Sequence, residues 1–235
     1  MIGIIAGANF SVAGWENAER RAVETPYGQP SEPISLASVA GKRVALLFRH
    51  GSQRIPPHRI NHRANLSALL SLEVSRVIGV NSVGSLKRDI PPGSIVIPHD
   101  FLCPWQVLTF HQDRAIHITP TLSQEMRAVL VRAASEAEVK FQDGGIYIQT
   151  LGPRLETEAE VAMLSQFGDV VGMTMAHEAT LSQELGLPYA SLCSVDNFAH
   201  GLIDMPLLAE EIARGSRESL GQIQKVLFRA LENME

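Results

Sequence analysis

Seven short, nearly continuous apolar runs recur along the chain, at Ile2–Ala6, Arg43–Phe48, Val77–Val80, Ile95–Ile97, Ile146–Ile148, Val170–Met173 and Tyr189–Val195. Runs this short and this apolar on both faces suit strands buried between layers. Segments of helical period lie between several of them. Leu122, Met126, Val129 and Ala133 recur at three- and four-residue steps, and Thr119-Pro120 puts a proline where a helix can open. Thr157 and Glu160 have capping-box spacing ahead of Val161 and Leu164, with Gly168 as the stop. A third helix is expected from Glu178 to Leu185, ending at Gly186. The last opens at Asp204–Pro206 and carries Leu208, Ile212, Leu220, Ile223 and Leu227. Its Gly215 and Gly221 each weaken it by roughly 1 kcal/mol relative to alanine, so packing must hold it. Such alternation implies an α/β fold, a mixed or parallel sheet with helices on both faces. No repeat, low-complexity tract or linker-like stretch divides the 235 residues, so 1–235 reads as a single domain.

Composition removes several function classes. Lys and Arg number 20 against 25 Asp and Glu, a formal charge of −5, which argues against a nucleic-acid footprint. With 45% hydrophobic and 19% charged residues the chain is not disordered. No apolar run approaches the roughly 18 residues of a membrane span, and MIGIIAGANF lacks the basic start of a signal peptide. Cys103 and Cys193 have neither metal spacing nor a disulfide framework. A cytoplasmic globule, with no nucleic-acid or membrane partner and no metal, is the expectation. The P-loop, dinucleotide, nucleophile-elbow and H-E-x-x-H patterns are all absent, so nucleoside triphosphates, dinucleotides, ester hydrolysis and zinc lack support.

In sheets of this kind ligands sit beyond the carboxyl ends of the strands. The runs end in Gly7-Ala8-Asn9, Arg49-His50-Gly51, Asn81-Ser82-Val83-Gly84, the stretch from Gln149 to Glu156, Thr174, and Asp196-Asn197. That is the pattern of a site assembled from many loops at one rim. An arginine fork at a strand end suits a phosphate-like oxyanion; a surface ion pair is the plainer alternative. Backbone N–H groups of the small loop 81–85 could add an anion nest. His177-Glu178 reads as structural or helix-capping, and His58 and His62, in PPHRINHR, as solvated or packed into a loop.

Taken in order, IGIIAG, ETPYGQPS, RHG, PPHRINHRAN, NSVGSL, PPGSIVIPHDF, QTLGPRLETEAE, VGMTMAHEA and YASLCSVDN closely resemble the trimeric purine nucleoside phosphorylases, and more narrowly their methylthioadenosine/methylthioinosine branch. The resemblance runs from Ile2 to about Leu227 and is most specific in GPRLETEAE and VGMT-x-x-x-E. It implies a mixed sheet with a distorted barrel flanked by helices. It also implies a homotrimer with sites near the subunit interfaces, and phosphorolysis of a purine nucleoside without a cofactor, inorganic phosphate being the co-substrate. Carried over by position, Arg49, His50 and Thr174 match phosphate ligands, with Ala8 in the first phosphate loop. Asn81 and Ser82 match the loop that approaches phosphate and sugar. Met173 matches the residue beneath the ribose. Glu156 and Asn197 match the purine-reading pair, with Leu155 and Gly84 beside the base, and Asn197, Glu156 and His50 form the implied catalytic set.

The chemistry fits those roles. The sugar becomes oxocarbenium-like between an anion and a departing base, so positioning and charge carry much of the rate. The Asn197 amide can donate to O6 and accept from a protonated N7. A Glu156 carboxylate can accept from N1–H of a 6-oxopurine and would repel the N1 lone pair of a 6-aminopurine. Unpaired buried polar groups discriminate by roughly 10⁴, so hypoxanthine or guanine nucleosides are expected over adenosine ones. The alternative for Glu156 is a carboxylate favoured by the dipole of the helix that follows. Asn197→Asp should shift preference toward 6-aminopurines, and Arg49→Ala should raise the KM for phosphate with the fold intact. At the sugar's 5′ end two readings stand: an apolar pocket from Leu202, Ile203, Met205, Leu207 and Leu208 for a methylthio group, or His200 for a hydroxyl.

Two positions depart from the family. Ala8 stands where relatives carry a phosphate-touching hydroxyl, with Asn9 replacing a glycine, and His177 stands where they usually carry proline. One lost charge-assisted hydrogen bond costs roughly 1.5–3 kcal/mol unless Ser11 or Asn9 replaces it. A nucleoside hydrolase using water is therefore an alternative reading, as are a methylthioadenosine phosphorylase and a non-catalytic purine-binding protein.

Overall fold

The structure, a computed structural model, describes residues 1–7, 10, 15, 18–204 and 209–234, with only the backbone of 209–213. Ala8, Asn9, Ser11, Met205, Leu207 and Leu208, and the side chain of Ile212, lie outside the described residues. In chain order the elements are β1 (Ile2–Ala6), β2 (Glu19–Arg21), β3 (Ile34–Val39), β4 (Lys42–Phe48), α1 (His62–Ser71), β5 (Arg76–Ser85), β6 (Ile95–Ile97), β7 (Asp100–Leu102), α2 (Gln124–Glu136), β8 (Phe141–Asp143), β9 (Ile146–Gln149), α3 (Glu158–Leu164), β10 (Val170–Gly172), α4 (Met175–Glu184), β11 (Tyr189–Phe198) and α5 (Ala209–Asn233).

All seven apolar runs are strands of one mixed sheet, and β5 is its pivot. The first part of β5 runs parallel to β1, with Ile2 opposite Arg76 and Ile5 opposite Gly79. Its end turns to β10, antiparallel, through Gly84 and Ser85. Its other edge is held along most of its length by β11, from Tyr189 opposite Val77 to Phe198 opposite Ser85. From β11 the path continues to β6. Beyond the bend at 98–99 it passes from β7 to β9 and β10, and so back to β5. That circuit is the distorted barrel the resemblance implies. Beside it, β1, β4, β3 and β2 extend the sheet.

Apolarity on both strand faces has a direct cause. Ile2, Ile4 and Ala6 of β1 pack with Val44, Leu46, Ile78 and Val80 against α2 and α5. Ile5 packs with Ala45, Leu47 and Val77 against α1 and α4 on the opposite face. Successive side chains of one strand thus serve two cores. A third, smaller cluster (Leu86, Ile148, Val161, Leu164, Val171 and Ala199) lies under α3.

The helix expectations hold in part. The capping box at Thr157 and Glu160 is present at the start of α3, and Gly186 ends α4 with φ +69°. α2 does not open at Thr119-Pro120; Ser123 caps it, accepting from the Met126 N–H at 3.3 Å. α4 begins at Met175, earlier than the expected Glu178. Met175 through Ser182 are all buried, which removes the one-sided pattern that would reveal it.

The two glycines of α5 differ in cause. A Cβ on Gly215 would run into the carbonyl of Asp196, so its absence lets α5 lie directly on β11. A Cβ on Gly221 meets nothing within 4 Å. The same substitution should therefore have opposite signs. We expect Gly215→Ala to cost about 1–3 kcal/mol through overpacking and Gly221→Ala to gain roughly 0.5–1 kcal/mol of helix propensity. Urea unfolding of the two variants checks this.

Candidate active site

Carboxyl ends of β1, β4, β5 and β11, the start of α4 and the loop before α3 converge on a cavity of about 520 Å³. Arg49, His50, Ser82, Gly84, Leu155, Glu156, Met173, Thr174 and Asn197 all line it. Asn81 is not among the lining residues, and Ala8 lies outside the described residues. Asp196, Ser194, Ser216, Phe10, Leu220 and Ile223 also line it; the sequence marks Asp196 as a strand-end residue and Leu220 and Ile223 as apolar positions of the last helix, without a chemical role for any of the six.

Arg49 lines the cavity but is only 2% exposed, and most of its fork is committed to protein groups and not open to a ligand. Nε and Nη2 donate to the Glu178 carboxylate at 2.6 and 3.3 Å. Nη2 also donates to the Ile5 carbonyl at 2.9 Å, and Nη1 to the Val80 carbonyl at 2.8 Å. Among the described residues four of five guanidinium hydrogens are committed, and one on Nη1 is left for a ligand. Burial opposes the charge, but Glu178 overrides it and raises the Arg49 pKa. Glu178 is 1% exposed and also accepts from the Tyr189 hydroxyl at 2.8 Å. The His177-Glu178 pair is thus structural, and Glu178 is what holds Arg49. Gly51 closes the turn after His50: φ is +56°, and a Cβ would strike the Ser31 carbonyl.

His50 Nδ1 donates to the Ile55 carbonyl at 2.7 Å, which fixes the tautomer and leaves Nε2 for a ligand. Burial, with Arg49 adding to it, lowers its pKa against the effect of that bond. The neutral ring is therefore favoured.

Two hydroxyls in the cavity are polarised in opposite senses. Ser191 Oγ donates to Asn81 Oδ1 at 2.8 Å, and Asn81 Nδ2 donates to Thr174 Oγ1 at 3.0 Å. Asn81 is therefore a buried support, 1% exposed, and not the substrate contact the resemblance implied. Its bond leaves the Thr174 proton free to donate. Ser82 Oγ instead donates to Asp196 Oδ2. The first N–H groups of α4 are satisfied by the Tyr147 hydroxyl and Gln149 Oε1. They are not offered to an anion.

At the other end, Glu156 precedes the α3 cap and accepts from Thr150 Oγ1 at 2.7 Å. Glu160, not Glu156, serves the helix. It pairs with Arg154 and accepts from the Thr157 N–H, which together, Arg154 foremost, hold its carboxyl down to about 2. Asn197 Nδ2 donates to the Phe198 carbonyl at 2.8 Å, leaving one amide hydrogen and Oδ1. Gly152 lies tight against Met173, where a Cβ would collide with Sδ, so the 150–156 loop rests on that side chain. Burial raises the Asp196 pKa, against hydroxyls of Ser82, Ser194 and Ser216 that lower it. Among the described residues no three His, Cys, Asp or Glu side chains gather where they could hold a metal ion. No helix among them is long and apolar enough to cross a membrane.

His62 is neither solvated nor in a loop. It opens α1, is 2% exposed, and packs edge-on to His177 with ring centroids 5.4 Å apart. Neither of its ring nitrogens has a hydrogen-bond partner among the described residues. Burial first, then His177, Arg49 and His50, hold its pKa well below 6.5. The unfolded chain therefore binds a proton that the folded chain refuses. Stability is unaffected above the unfolded pKa and falls as pH drops below about 6.5, by up to ~1.4 kcal/mol per pH unit for each such proton. Replacing His62 by leucine should make that acid decline shallower, as urea unfolding at successive pH values would record.

The Phosphorylase superfamily model matches residues 1–232. The chain is 41% identical to the probable 6-oxopurine nucleoside phosphorylase of Archaeoglobus fulgidus, over all of this chain and 97% of that one. It is 39% identical to the probable S-methyl-5′-thioinosine phosphorylase of Methanothermobacter thermautotrophicus, covering 100% and 85%. Among solved structures it resembles a methylthioadenosine phosphorylase from an Antarctic soil metagenomic library. That match has a TM-score of 0.89 and 32% identity, covering 98% and 84%.

Proposed function

The chain belongs to the phosphorylase superfamily, and from that premise we propose that it is a purine nucleoside phosphorylase acting on 6-oxopurine nucleosides. One observation carries the reading. A single cavity joins a donor end, the free Arg49 hydrogen and the Thr174 hydroxyl, to a base-reading end, Glu156 and Asn197. Phosphate sits at the first and purine at the second, with the sugar over Met173. The bond from C1′ to N9 breaks and its electron pair goes to the purine, which takes up a proton at N7 from solvent as the attacking hydrogen phosphate gives one up. A phosphate oxygen bonds to C1′, giving ribose-1-phosphate and free base. Asn197 Oδ1 accepts from N7–H, its remaining amide hydrogen meets O6, and Glu156 accepts from N1–H. Donors aimed at charge that grows on the base and at the phosphate account for the acceleration without a cofactor.

Phe10, Leu220 and Ile223 wall the same cavity. These apolar side chains suit a 5′-methylthio group, whereas Leu202 packs under α3. Release of base should be followed from methylthioinosine, inosine, methylthioadenosine and adenosine, with and without phosphate. The reading predicts phosphate-dependent release, fastest from methylthioinosine. Faster release from the 6-amino pair would overturn the base preference, and release indifferent to phosphate would make water the nucleophile.

A homotrimer is part of the proposal. Trp105, Leu151, Leu155 and Met163 are each exposed by 41–46% around the mouth beside Glu156, which suits cover by a second subunit. Light scattering separates trimer from monomer.

A further inference from the structure

We propose that Asp196 is a specificity-determining positioning residue: it accepts the hydrogen bond of the Ser82 hydroxyl, so that Ser82 faces the cavity as an acceptor for a hydroxyl of the substrate's sugar. This rests on the nucleoside reading above. Asp196 occupies a bulge of β11, where the register with β5 shifts between Val195 and Asn197. Bulges re-aim side chains, and here the carboxyl turns toward Ser82 across the strand pair. Its backbone is locked from behind by α5 at Gly215. The residue is 3% exposed; Oδ2 accepts from Ser82 Oγ, and the buried Oδ1 has no hydrogen-bond partner among the described residues.

A serine hydroxyl has one proton and two acceptor sites. With its O–H engaged in the hydrogen bond to Asp196, Ser82 can only accept from anything in the cavity. An ionised phosphate offers mainly acceptors and gains little there. The N–H donors of a 6-oxopurine are already matched by Glu156 and Asn197. What remains on a nucleoside is its ribose hydroxyls. Thr174 is polarised the opposite way, its proton left free by Asn81. The cavity thus holds one hydroxyl that gives and one that takes, which sorts anion from sugar.

The test compares kcat/KM for inosine, 2′-deoxyinosine and 3′-deoxyinosine in the wild type, Ser82→Ala and Asp196→Leu. The wild type should disfavour at least one deoxy substrate by about tenfold or more. Both variants should shrink that ratio to within about threefold, mainly through the nucleoside KM, and Ser82→Ala should leave the phosphate KM within about twofold. Should Asp196→Leu fail to fold, Ser82→Ala decides alone. A ratio that survives in either variant, or a wild type indifferent to both hydroxyls, overturns the proposal, as does a tenfold rise in phosphate KM in Ser82→Ala. Absence of base release by the wild type would instead overturn the nucleoside reading, and this proposal with it.

Discussion

Arg49→Ala is expected to lose about 3–5 kcal/mol of stability as well as phosphate use, because it strands the Glu178 carboxylate in the core. At the ~2–4 °C per kcal/mol of a chain this size, Tm falls by roughly 6–20 °C. The expectation of an intact fold is thereby corrected. Glu178 is 1% exposed, and the Tyr189 hydroxyl is its one other partner among the described side chains. The carbonyls of Ile5 and Val80 would also lose their donor. Stability and binding can be separated with the double variant Arg49→Leu, Glu178→Leu. An apolar pair in place of a buried ion pair should regain much of the lost stability, while the phosphate KM stays high. Thermal unfolding and initial rates at varied phosphate would record both. A single variant with unchanged Tm and unchanged phosphate KM would remove Arg49 from both roles.

Asn197→Asp should raise the ratio of 6-aminopurine to 6-oxopurine kcat/KM by about tenfold or more. The Asn197 Nδ2 donates to the Phe198 carbonyl at 2.8 Å. A carboxylate there would face that carbonyl oxygen and sit next to Asp196, itself buried. Both neighbours disfavour the charge, so the introduced acid should keep its proton. In that protonated form it can donate to N7 but offers no second donor for O6. Rates on inosine and adenosine for the wild type and variant would measure the change. An unmoved ratio would mean that residue 197 does not read the base.

Much of this was legible in the sequence because strand ends are where function sits. Apolar runs marked seven of the eleven strands described, and residues just beyond several of them (Gly7, Arg49 and His50, Ser82, Met173 and Thr174, Asp196 and Asn197) line the cavity. The misses share a cause: side-chain commitments between distant residues leave no local trace. Arg49 and Glu178 are 129 positions apart, so nothing beside RHG revealed that the fork was occupied. Asn81 looked like a ligand for the same reason, since Ser191 and Thr174 claim it from far along the chain. α1 was hidden by Pro56-Pro57, although Asn61, which caps it by accepting from the Ala64 N–H at 3.1 Å, was the available signal. The edge strand β2 has three exposed residues and so lacks the apolar pattern that identifies its neighbours.

The central claim places an anion and a keto-bearing purine at opposite ends of one cavity. A crystal structure of the protein soaked with phosphate and hypoxanthine tests it directly. Phosphate within hydrogen-bond distance of Arg49 Nη1 and Thr174 Oγ1, with hypoxanthine held by Glu156 and Asn197, is the predicted result. Hypoxanthine bound away from residues 156 and 197, or phosphate bound away from Arg49 and Thr174, would contradict the account.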